Sequence, residues 1–70
     1  MIIQVNGEAY TLEEEEMTIL ALLEKEKVKT PEMVSVQLNG RFVSSENLDT
    51  TVIRENDAVD YLYFMSGGQI

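Results

Sequence analysis

The sequence predicts an α+β fold in which a mixed sheet of four to five strands is crossed by one main helix. Two dipeptides carry much of that expectation, Asn6-Gly7 and Asn39-Gly40, each set between strand-like segments. Asn-Gly suits a two-residue hairpin turn of type I′, because both turn positions need positive φ. Between the two hairpins, Ile19, Leu22 and Leu23 follow the i, i+3, i+4 spacing of a single apolar helix stripe. A last, largely apolar segment, residues 59–65, closes the sheet. The first and last strands are expected to run parallel at the centre, with their hairpin partners outside them.

Each element follows from local chemistry. In residues 1–5 alternation puts Ile3 and Val5 on the core face and leaves Ile2 and Gln4 on the other. Residues 8–12 form the returning strand, and the four acids Glu13, Glu14, Glu15 and Glu16 make a solvated turn. Thr18 suits a helix N-cap, since its hydroxyl can accept from a first-turn amide, and Met17 is placed to staple against Leu22. The helix starts at Ile19, and Glu24, Lys25, Glu26 and Lys27 mark its solvated end. Pro31 biases Thr30 toward extended backbone, so the helix ends by about Val28.

Further along, Val34, Val36 and Leu38 alternate with Ser35 and Gln37, the period of a half-buried strand, and residues 41–43 return after the second turn. Residues 44–51 are polar except for Leu48, which is expected to pack one short helical turn onto the core. Asn56-Asp57 forms a turn before the last strand. Asp60 would be costly inside so small a core, so Asp60, Leu62 and Phe64 are assigned to the face away from the helix. Val59, Tyr61 and Tyr63 then point inward. Residues 1–66 form one domain and residues 67–70 a flexible tail.

Composition narrows the functions open to the chain. A domain of 70 residues buries only about 60 % of the surface its unfolded chain exposes, so its core must be compact. With neither cysteine nor histidine, it has no disulfide staples, thiol nucleophiles, imidazole bases or the commonest zinc ligands. That points away from catalysis by this chain alone. The formal net charge of −8 would repel nucleic-acid phosphate and anionic lipid, which leaves a basic protein partner as the better match. The apolar run at residues 19–23 is far too short to span a bilayer, and no secretory pattern follows Met1, so a cytoplasmic location is expected.

The remaining feature is the ending Gly67-Gly68-Gln69-Ile70. Glycine has no Cβ, so a paired glycine beyond the last strand can enter a narrow active site that a side chain would block. Carriers activated at their own C-terminus need that property. Here the free carboxylate belongs to Ile70, so Gln69 and Ile70 must be removed before a Gly68 carboxylate exists.

Taken together, these residues resemble the ubiquitin-like β-grasp proteins, and specifically the small sulfur carriers of thiamine biosynthesis. The resemblance covers essentially the whole chain. It rests on Ile3-Gln4-Val5-Asn6-Gly7-Glu8, on Thr18-Ile19 with Leu22-Leu23-Glu24, and on Val36-Gln37-Leu38-Asn39-Gly40-Arg41-Phe42-Val43. Val52-Ile53-Arg54-Glu55-Asn56-Asp57-Ala58-Val59 and Met65-Ser66-Gly67-Gly68 complete it. Where the family often has an Asp-Gly-Asp turn, this chain has Glu55-Asn56-Asp57; asparagine tolerates positive φ, so the change should be structurally mild.

The resemblance implies a carrier that is a co-substrate of other enzymes and binds no cofactor of its own. A ubiquitin-activating-type adenylyltransferase would use ATP to join AMP to the Gly68 carboxylate. Sulfur from a cysteine desulfurase or another donor would convert it to a thiocarboxylate, which a thiazole synthase or another acceptor would consume. Gly67 would give access, and Gln69-Ile70 would be processed by a JAMM-type metalloprotease. Some carriers so trimmed serve cysteine, methionine or siderophore synthesis instead of thiamine, and the small subunit of molybdopterin synthase shares the fold. Two further readings stay open: a non-covalent β-grasp interaction module, for which residues 67–70 are dispensable, and a ubiquitin-like modifier joined to lysines. Leu62 and Phe64 are the candidate docking residues for the activating enzyme, the alternative being a quiet surface or a patch covered by Arg41 or Phe42. The acidic excess is expected to speed association with a basic partner more than to tighten it.

Overall fold

Both Asn-Gly dipeptides form the turns their chemistry predicts. Asn6 and Gly7 take φ values of 52° and 86°, and Asn39 and Gly40 take 53° and 84°. The first turn joins β1 (Ile2–Val5) to β2 (Glu8–Thr11). The second joins β4 (Val34–Leu38) to β5 (Arg41–Val43). Between the hairpins lie a short strand β3 (Met17–Thr18) and the helix α1 (Ile19–Lys25), and after them come β6 (Val52–Ile53) and β7 (Ala58–Tyr63). The computed structural model describes residues 1–63, without the side chains of Glu32 and Tyr63. The expected continuation of the last strand to residue 65, the inward placement of Tyr63 and the division at residues 66 and 67 therefore lie outside the described residues.

The five-stranded sheet has the order β2-β1-β7-β4-β5. β1 and β7 pair in parallel, and the remaining neighbours are antiparallel. This is the expected arrangement of parallel strands flanked by their hairpin partners. One face of the sheet carries the core, where Ile3, Val36 and Val59 meet Ile19, Leu22 and Leu23 of α1 and Ile53 of β6, all under 2 % exposed. The i, i+3, i+4 stripe is the buried face of the helix.

A second, two-stranded sheet pairs β3 with β6, Met17 opposite Ile53 and Thr18 opposite Val52. The sequence analysis does not anticipate it, because two residues are too few to show a strand period. Its effect is to build the helix N-terminus. The Ile19 N–H donates to the Thr51 carbonyl at 3.0 Å and the Leu20 N–H to the Leu48 carbonyl at 2.8 Å. The Thr18 hydroxyl accepts from the Ala21 N–H at 3.1 Å. Three first-turn donors that a helix normally leaves orphaned are thus satisfied, two of them by the polar segment that Leu48 anchors in the core. That segment contains the expected helical turn, at Ser45–Asn47.

The far end of α1 closes without glycine. Lys27 takes φ 64°, its N–H donates to the Glu24 carbonyl, and the Val28 N–H donates to the Leu23 carbonyl. This is a Schellman cap with lysine at the left-handed position, locked by burial of Val28 in the same core as Leu23. Asn56 likewise takes φ 72°, so the Glu55-Asn56-Asp57 turn adopts positive φ with asparagine, as expected.

Substitutions here should separate packing from capping in urea unfolding. Leu23→Ala is expected to cost about 2 to 5 kcal/mol through lost burial and a residual cavity. Thr18→Ala should cost about 1 kcal/mol. Lys27→Gly should instead stabilise the domain by about 1 kcal/mol, because only glycine takes the left-handed position without a Cβ penalty.

Candidate functional site

The face of the sheet turned away from α1 follows from the pairing register. Directly paired residues share a face, so Asp60, Gln37 and Phe42 form one row across β7, β4 and β5, and Leu62 with Ser35 forms the next. Leu62 is 75 % exposed and Phe42 66 % exposed. Ser35, Gln37, Asp60, Tyr61 and Leu62 line a shallow depression of about 200 Å³ on this side. Asp60 is exposed, and the ion pairs among the described residues lie elsewhere, Lys25 with Glu14 and Arg54 with Glu16. The face therefore offers two large apolar groups around a bare carboxylate, a combination suited to a partner that is apolar with a basic residue at its rim.

Leu62 stands where alternation from Asp60 places it. Phe42 belongs to the same face, set in the row of Asp60 by the register of β5 on β4 and of β4 on β7, and it leaves Leu62 uncovered. Val59 is buried and Tyr61 half-buried on the opposite side, as expected. Phe64, Gly67, Gly68, Gln69 and Ile70 lie outside the described residues.

On the helix side, the Glu26 carboxylate at the end of α1 is bracketed by two phenols. The Tyr61 hydroxyl donates to Glu26 Oε1 at 3.3 Å. Hydrogen bonding of the Tyr10 phenol toward Glu26, followed by burial and by the negative charges of Glu26 and Glu14, raises that phenol above its ordinary value. Among the described residues no group of three or more histidine, cysteine, aspartate or glutamate side chains is arranged to hold a metal ion. No described helix is long and apolar enough to cross a membrane.

Comparison with known proteins places this arrangement. The ThiS family model matches residues 3–68, nearly the whole chain. The chain belongs to the ThiS family. This is the group of small carriers that the sequence resembles. A crystal structure of the thiamine biosynthesis protein (ThiS) from Geobacter metallireducens is 40 % identical, with a TM-score of 0.86, covering 97 % of this chain and all of that one. A solution NMR structure of a thiamine biosynthesis protein from the same organism is 39 % identical, with a TM-score of 0.81, covering 100 % of this chain and 91 % of the other. No curated protein sequence gives a significant match. The ubiquitin-like β-grasp architecture of the ThiS family is therefore the fold of this chain, with one helix across a mixed five-stranded sheet.

The Tyr10–Glu26 contact has a measurable consequence. Because the folded phenol is raised above its unfolded value of about 10, the contact contributes stability that is fully present below that pH and is lost as pH rises through the folded value. Ultraviolet titration of the parent against Tyr10→Phe should show that the tyrosine removed ionises late, Glu26→Gln should bring it earlier, and Tyr10→Phe should remove its share of the alkaline loss of stability.

Proposed function

We propose that this ThiS-family chain is a sulfur carrier for thiamine thiazole synthesis, charged at Gly68 after removal of Gln69-Ile70. The observation that carries this reading is the family match, which runs through Gly68 and leaves the last two residues outside it. A chain without cysteine has no side chain on which to hold sulfur as a persulfide, whereas a terminal thiocarboxylate needs no side chain. Hydrolysis of the Gly68–Gln69 peptide bond by a JAMM-type protease frees the Gly68 carboxylate. One carboxylate oxygen attacks the ATP α-phosphorus on a ubiquitin-activating-type adenylyltransferase, and pyrophosphate leaves. Sulfide then attacks the acyl carbon and expels AMP, leaving the thiocarboxylate; sulfur delivered by a cysteine desulfurase arrives as a persulfide, whose attack expels AMP to give an acyl disulfide that a thiol reductant cleaves to the same thiocarboxylate. The chain contributes the terminus and the docking face, and its partners contribute the catalysis.

Processing comes first for a geometric reason. In-line attack tolerates only about 3 to 3.5 Å between reacting atoms. Two extra residues displace the terminal carboxylate by up to about 7 Å at extended spacing. The same two residues favour a trimmed-precursor reading in which the acceptor belongs to cysteine, methionine, siderophore or molybdopterin synthesis instead of being a thiazole synthase. With ATP and the activating enzyme, the full-length chain should be inert, a chain ending at Gly68 should form an acyl-adenylate and accept sulfur, and Gly68→Val in that shortened chain should fail. Equal adenylation of the full-length and shortened chains would overturn the role given to Gly68.

Docking of the activating enzyme is assigned to the outer face that carries Leu62 and Phe42, and Phe64 is retained as the second docking residue expected from the sequence. Leu62→Glu should leave the unfolding midpoint almost unchanged, since the side chain is exposed, yet weaken activator binding, and Phe64→Glu should do the same to binding. The association rate should fall with added salt, as expected for an acidic carrier steered toward a basic surface. Adenylation kinetics unchanged in both variants would remove this face from the mechanism.

A further inference from the structure

The two Asn-Gly turns look alike in sequence but hold β7 differently. At the first, Asn6 Oδ1 accepts from the Tyr61 N–H at 2.8 Å. This uses the side chain as an acceptor alone. At the second, Asn39 Oδ1 accepts from the Ala58 N–H at 2.9 Å, and Asn39 Nδ2 donates to Asp57 Oδ1 at 3.1 Å. The Ala58 N–H can only donate, so the atom it meets must be the carbonyl oxygen, and the amide nitrogen is left for Asp57. The other Asp57 oxygen, Oδ2, accepts from the Arg54 N–H at 2.8 Å, and the Asn39 N–H donates to the Ala58 carbonyl at 2.7 Å. Asn39 is thus the centre of a network tying the β4–β5 turn to the start of β7.

Asn-Gly is also the sequence in which an asparagine side chain is most easily lost as ammonia, because no side chain on the following residue hinders attack by its backbone nitrogen. Around Gly40 the space where a side chain would begin is open, with no atom within 4 Å of an ideal Cβ. We propose that Asn39 is a modification site at which spontaneous deamidation to aspartate breaks the link to Asp57 at the start of β7, whereas deamidation of Asn6 to aspartate leaves its bond to β7 intact. In the reaction the deprotonated Gly40 nitrogen bonds to Asn39 Cγ, the Cγ–Nδ2 bond breaks and ammonia leaves. Water then opens the resulting succinimide to aspartate or isoaspartate.

The consequences at the two turns differ because their hydrogen bonds do. An aspartate at position 6 still accepts from the Tyr61 N–H. At position 39 it still accepts from Ala58, but the donor to Asp57 becomes a second carboxylate oxygen, and two like charges face each other at hydrogen-bond distance. The native bonds of Asn39 also fix its carboxamide on Ala58 and Asp57, and attack by the Gly40 nitrogen has to compete with them. The folded protein therefore protects Asn39, and opening of the turn exposes it.

The experiment uses the full chain, folded and in urea, held in mildly alkaline buffer and mapped by peptide mass spectrometry. Asn39 should convert about tenfold more slowly in the folded protein than in the unfolded chain, the protection that one or two hydrogen bonds confer. Conversion at equal rates in both states would overturn the protection. Asn6→Asp should leave the urea midpoint close to that of the parent, Asn39→Asp should lower it clearly, and adding Asp57→Asn to Asn39→Asp should restore it by returning an amide donor to the pair. If Asn39→Asp matches the parent, or the double variant shows no rescue, the like-charge mechanism is wrong.

Discussion

Every other feature of this domain depends on the burial of one side of the sheet by a helix of seven residues. Ile19, Leu22 and Leu23 are the apolar groups of that helix with no exposure, and Ile3, Val36, Ile53 and Val59 receive them. A helix so short is marginal by its own hydrogen bonds, since nucleation is costly and isolated helices need roughly 12 to 15 residues. It survives because both ends are tied into the fold. The carbonyls of Leu48 and Thr51 close its first turn, and the buried Val28 closes its last. Packing and capping are one constraint here, because the segment that supplies those carbonyls is itself held by Leu48 in the core.

β7 is where the structural and functional demands meet. It lies between β1 and β4, so its backbone groups are used on both sides, and both hairpin turns add asparagine side chains to its edges. Its side chains are divided between two tasks. Val59 lies in the core and Tyr61 reaches the end of the helix, while Asp60 and Leu62 stand on the outer face. A strand held by two turns, at Ala58 and at Tyr61, can present an apolar outer residue without being pulled toward the core to bury it. That is a physical reason for so exposed a leucine in a chain with little apolar surface to spare.

Among the described residues the acidic side chains lie in different settings. Glu14 and Glu16 from the four-acid turn pair with Lys25 and Arg54 in exposed ion pairs, which contribute little to stability. Glu26 is the carboxylate in a different setting, half-buried between two phenols, and it is there that a titrating group is displaced.

Local chemistry by itself determined the turns, the helix start at Ile19, the buried stripe, the alternation that puts Ile3 and Val5 inward, and the outward placement of Leu62. Each of these is set by residues within one turn or one strand of each other, through φ preference, capping and periodicity. The motif order also led to the ThiS family. Only the tertiary structure decided the β3–β6 pairing, the membership of Phe42 in the outer face, and the different duties of Asn6 and Asn39. Those depend on which strands become neighbours and in what register, and two-residue strands, a lone exposed phenylalanine or a repeated Asn-Gly carry no local signal that distinguishes the outcomes. The register is settled by burying the apolar sides of all the strands under one helix at once, a condition met by the whole chain and by no segment of it.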